Sequence, residues 1–100
     1  MTTETELRAA GFNNPDAFNG LSAWESDGPE SASRVVLVFD GSAARLASMG
    51  PHATWRDLLQ AESEARMLRA IAGGMTEGPG KTAMLAHADA VAPLGEIWTA

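Results

Sequence analysis

The sequence predicts a small α+β domain dominated by helices, with about five helices and a minor β element at 34–40, paired with the segment 96–99. Three observations carry that expectation. A chain of 100 residues, 45% apolar and 20% charged, has the size and composition of one domain folding around its own core, here 1–100. Apolar residues recur at helical spacing after Thr54 over the longest periodic stretch of the chain. Finally, Arg34-Val-Val-Leu-Val-Phe39 is continuously apolar after its arginine and rich in β-branched residues, the pattern of a strand buried on both faces.

In chain order, Thr3 with Glu6 three residues on fits a capping box, and Gly11 before Phe12 fits a C-terminal stop, which gives a first helix over 4–10. Asn14-Pro15-Asp16 resembles a second capped start. Phe18, Leu21 and Trp24 follow at i, i+3, i+6 along one side of that helix, with Gly20 inside it as a weak point. The stretch 25–33 (ESDGPESAS) is polar, contains Gly-Pro and reads as a loop. The strand 34–40 ends at Asp40-Gly41 and needs a partner for its backbone groups. The internal candidate is 96–99; a second copy or a foreign edge are the others.

Ser42 to Met49 has helical composition with a Ser cap and a Gly50-Pro51 stop. From Thr54 a long helix runs to Gly73-Gly74, with Leu58, Ala61, Ala65, Leu68 and Ala72 on one face. Trp55, Met67 and Ile71 extend that face, and Glu62 and Arg66 form an i, i+4 pair on the polar side. A second loop covers 73–81, and 82–91 forms a last helix that ends before Pro93.

Composition removes several classes of function. The absence of cysteine excludes disulfides, thiolate metal sites and cysteine nucleophiles. The chain shows no secretory or membrane-spanning segment, so the cytoplasm of a bacterial host cell is expected. The net charge is −6, and six acids against Arg8 give the first 33 residues a balance of −5. Such a chain is repelled by nucleic acid and anionic lipid and attracted to basic surfaces.

The most suggestive motif is Gly-Pro-Gly-Lys-Thr at 78–82, which looks like the end of a phosphate-binding loop. It lacks the required spacing: the position five before Gly80 is Met75, a helix rather than a strand precedes it, and Glu77 sits where an anion would bind. A connection turned by Pro79 and Gly80 and capped by Thr82 is the expected role. Asp40 stands at a strand end where α/β enzymes place catalytic carboxylates, and His87 is the other conceivable catalytic group. However, Asp40-Gly41 is a turn pair, and His87 and Asp89 point apart on a helix. Neither metal ligands nor a cofactor are expected, and a non-enzymatic role is favoured over a small enzyme or ligand-binding domain around Asp40 and His87.

The expected function is therefore a small acidic protein–protein interaction module that docks on a basic, nucleic-acid-binding surface of a partner complex. The carboxylates of Glu4, Glu6, Asp16, Glu25, Asp27 and Glu30 would compete for bases that otherwise hold phosphate, with Trp24 as an aromatic anchor beside them. Small phage-encoded inhibitors such as anti-CRISPR proteins are objects of this general kind, a comparison that rests on size and acidity. The alternative is an assembly subunit that pairs through the strand at 34–40. The oligomeric state is left open by the sequence.

Overall fold

The structure is a computed structural model that describes residues 1–26 and 34–99. It contains three helices and a four-stranded sheet: α1 (Glu4–Ala9), β1 (Phe12–Phe18), β2 (Leu21–Ser26), β3 (Val36–Phe39), β4 (Ala44–Ala47), α2 (Trp55–Gly73) and α3 (Pro79–Val91). The strands form an antiparallel meander in the order β1-β2-β3-β4. The domain is α+β, but in place of the expected helices, about five, there are three among the described residues. Two stretches expected to be helical, 14–24 and 42–49, are strands.

The first correction comes from the turn. Asn19 (φ 54°) and Gly20 (φ 82°) both adopt the left-handed conformation that a two-residue β-hairpin needs, so Phe18 and Leu21 face each other as strand partners. Pro15 is compatible with β1 because β1 is an edge strand. The register slips between Asn13 and Asp16, where the Asn14 amide donates to the carbonyls of Asp16 (2.9 Å) and Ala23 (2.7 Å). The second correction, β4, shows tertiary pairing overriding alanine-rich helical composition. Its turn from β3 is built on Asp40, whose Oδ1 accepts from the backbone N–H of Ser42 (2.9 Å) and Ala43 (2.8 Å) and from the Ser42 hydroxyl (3.0 Å).

β3 is an interior strand, paired with β2 on one side and β4 on the other, and all four of its residues are buried. It offers no free edge for another chain, and its partner is not the C-terminus. The C-terminal segment instead runs antiparallel along the outer edge of β4. There Leu46 N–H donates to Glu96 O (2.8 Å), Trp98 N–H donates to Ala44 O (2.9 Å), and Arg45 bridges with Ile97.

Strand alternation splits the core into two layers. On one face Leu7 of α1 packs with Phe12, Trp24, Leu37, Phe39 and Ala44, closed by Trp98, whose ring meets Phe12 edge-on at 5.3 Å. On the other, Leu58 and Leu59 of α2 pack on Leu21, Ala23, Val36 and Val38. Beyond that contact, α2 packs against α3 through Ala65, Ala88 and Ala92, small residues that let the two helices approach closely. At 19 residues, α2 is about 28 Å long, longer than its footprint on the sheet, and the molecule is elongated, 46 × 28 × 21 Å.

Thr3 and Thr54 cap α1 and α2, accepting from the N–H of Glu6 (3.2 Å) and Asp57 (3.1 Å). α3 starts at Pro79 after Gly78, earlier than expected, so Thr82 lies inside the helix rather than at its cap. Lys81 is engaged by Glu77 at 2.7 Å, an ion pair within the connection that the phosphate-loop motif resembles. No helix is long and apolar enough to cross a membrane among the described residues.

Candidate functional site

The acidic residues singled out from the sequence do not form one unpaired patch. Asp16 is held by Arg56 of α2 (3.1 Å), and Glu25 by Arg34 (2.7 Å). The hydrogen bond from Arg56, reinforced by one from the Ala17 N–H, holds the Asp16 carboxyl below its usual range. Glu4 and Glu6 are exposed on α1 and make no ion pair among the described residues. Asp27 and Glu30, with most of the loop at 25–33, lie outside the described residues.

Trp24 is fully buried, contrary to the role of interface anchor. Its indole N–H donates to the Ser22 hydroxyl (2.8 Å), and the Arg8 guanidinium covers its ring at 5.0 Å. A strand register places position 24 on the α1 face of the sheet, whereas the helical reading had placed it beside an exposed loop.

A different set of side chains converges where α2 passes the turn ends of the sheet. A cavity of about 130 Å³ opens there, with apolar lining from the buried Leu21 and Val38 and from the exposed Leu94. Five charged side chains wall it: Asp40 from the β3–β4 turn, Arg45 from β4, and Glu62, Arg66 and Arg69 from α2. Arg45 donates to Gly95 O (3.2 Å), and Arg69 donates to Asp89 Oδ1 (2.8 Å) and Ala92 O (2.7 Å), so both tie the C-terminal segment and α3 to the core.

Glu62 and Arg66 differ from these two. Among the described residues no hydrogen bond reaches either side chain, and the i, i+4 pair expected between them is not formed. Glu62 is half-buried; loss of hydration pushes its carboxyl up, against an opposing pull from Arg69. Asp40 behaves oppositely. Burial would raise it, but its hydrogen bonds from Ala43 and Ser42, with the Arg66 charge nearby, hold it below the usual range.

Glu62 also lines a second, larger cavity of about 440 Å³ between β4 and the end of α3, where Leu46, Val91 and Pro93 supply apolar walls and His52 a polar rim. His87 is exposed on α3 and lines neither cavity, so Asp40 and His87 are not brought together. No group of three or more His, Asp or Glu side chains is arranged to hold a metal among the described residues.

Met67, Ile71 and Leu85 project into solvent from the α2–α3 hairpin, with Met67 59% and Ile71 50% exposed. The sequence had assigned Met67 and Ile71 to the core-facing side. Yet they lie on the back of α2, one turn apart, away from Leu58, Leu59, Ala65 and Ala72.

Neither Glu62 nor Arg45 was singled out from the sequence as a site residue. A carboxylate inside an amphipathic helix ordinarily marks the solvated face, and Arg45 was assigned to a helix that is a strand. No family model matches the chain, and no curated protein or solved structure matches it.

Proposed function

We propose that the protein is a non-enzymatic protein–protein interaction module that presents the α2–α3 hairpin to its partner. One observation supports this most: the hairpin extends past the sheet and carries Met67, Ile71 and Leu85 exposed on its surface. Adaptable apolar side chains on a rigid helical pair are what a partner can bury, whereas isolated exposed apolar residues on a sheet domain need no such account.

A second reading keeps the basic, nucleic-acid-binding partner, and with it the role of a phage-encoded inhibitor of the anti-CRISPR kind. It is favoured by the exposed Glu4 and Glu6 on α1 and by the net charge of −6. α1 and α2 cover opposite faces of the sheet, so the two surfaces are separable by mutation.

The test is affinity capture from nuclease-treated lysate with three baits of matched thermal stability: the parent, Met67→Glu with Ile71→Glu, and Glu4→Lys with Glu6→Lys. The hairpin reading expects a salt-resistant partner lost only with the first variant. A salt-sensitive partner lost only with the second would transfer the interface to α1. A captured set unchanged by both would remove both readings.

A further inference from the structure

The cavity beside α2 holds opposite charges apart. Asp40, Glu62, Arg45 and Arg66 line one small space, yet none of them is within ion-pair distance of another; the described ion pair at this cavity joins Arg69 to Asp89 outside it. Glu62 and Arg45 are partly buried, whereas Asp40 and Arg66 are exposed. Glu62 and Arg66 are the clearest case. They are i, i+4 neighbours on one helix, where such side chains ordinarily meet, and among the described residues neither accepts or donates a hydrogen bond. Asp40 spends Oδ1 on its own turn, and its described hydrogen bonds leave Oδ2 out.

We propose that this cavity is a binding site for a small zwitterion, specifically an α-amino acid with a branched aliphatic side chain such as valine or leucine. An α-amino acid carries an ammonium and a carboxylate on one carbon, so it can join a carboxylate and a guanidinium that line one cavity without forming an ion pair with each other. Its ammonium donates to Glu62 and its carboxylate accepts from Arg66, a charge-assisted pair of contacts at each end. The apolar lining of Leu21, Val38 and Leu94 takes the side chain. The volume of 130 Å³ is close to the roughly 150 Å³ that accommodates benzene, and suits a small aliphatic body. Binding at this site is independent of the partner surface on the back of α2.

The experiment is a titration of the ¹⁵N-labelled full chain, followed by amide chemical shifts, with four probes: L-leucine, L-valine, leucinamide, which lacks the carboxylate, and 4-methylpentanoate, which lacks the ammonium. Leucine and valine are expected to shift the amides of Leu21, Asp40, Glu62, Arg66 and Leu94 at millimolar concentration. Each truncated analogue is expected to bind about tenfold or more weakly, because each leaves one charged group without its partner.

Glu62→Gln and Arg66→Gln, checked for retained fold by their undisturbed spectra, should each weaken leucine by a similar factor, and Glu64→Gln, at an exposed position that does not line the cavity, should leave it unchanged. Absence of shifts with either amino acid overturns the proposal. So does an analogue that binds as well as leucine, or affinity indifferent to both variants. None of these outcomes bears on partner capture through the hairpin.

Discussion

Gly95 lies so close to the carbonyl of Leu46 that a β-carbon at position 95 would overlap that group. The contact follows from the C-terminal segment being laid along β4, with Leu46 N–H bonded to Glu96 O and Arg45 reaching Gly95 O. The obstruction is backbone on both sides, so side-chain rotation cannot relieve it. Gly95→Ala should therefore lift the segment from β4 and destabilise the fold by about 1–3 kcal/mol, the usual range for overpacking. Chemical denaturation gives the magnitude, and a red-shifted, more quenchable emission from Trp98 would report the detachment. Unchanged stability would mean that the segment does not hold this position in solution.

The β1–β2 turn is the second local determinant. Gly20 has φ 82°, a region in which L-residues with a β-carbon are strained by about 1–2 kcal/mol. Gly20→Ala should lower the unfolding midpoint accordingly. Asn19→Gly, which keeps the left-handed preference, should change stability far less. Equal effects from the two substitutions would argue against the hairpin.

Trp24 separates core from interface. Its complete burial against Leu7, Leu37 and Phe39 predicts that Trp24→Ala costs about 3–5 kcal/mol of stability. A variant that unfolds at the parent's temperature while losing a partner would place the ring at a surface instead.

Acid should weaken the fold through two carboxylates. Asp16 and Asp40 have folded values depressed below 3.8, so their contribution is present above the unfolded value and is lost as pH falls through the folded ones. Arg56→Ala should move the Asp16 titration, followed by carboxyl ¹³C shifts, up toward its ordinary position. An unmoved titration would deny the ion pair.

Glu62 has the opposite sign. Its folded value is raised above 4.5 by loss of hydration, so its charge opposes folding above that folded value, and the penalty is relieved as pH falls toward 4.5. Glu62→Gln should raise stability at neutral pH and should lose that advantage in acid. A variant less stable than the parent at neutral pH would show that the carboxylate is paired after all.

What the sequence alone determined is what short-range chemistry specifies. Thr3 and Thr54 announce their helices because a cap needs a side chain and an N–H three residues on. The apolar run at 35–39 announces a strand buried on both faces, and the strand that forms is its last four residues, Val36–Phe39, with the exposed Arg34 outside it. Asn19-Gly20 carries a two-residue hairpin signal that the helical reading passed over, because Phe18, Leu21 and Trp24 at i, i+3, i+6 also fit one side of a helix; strands satisfy that spacing when opposite faces are both buried. The tertiary structure alone decided that Ala44 to Ala47 pairs as β4, since alanine and arginine favour a helix until β3 on one side and the C-terminal segment on the other supply hydrogen bonds to both edges. It also decided that Glu62, Arg66, Asp40 and Arg45 share one cavity. Those residues come from a turn, a strand and a helix, and no spacing along the chain records a meeting that exists only because α2 crosses the sheet and runs on past its end.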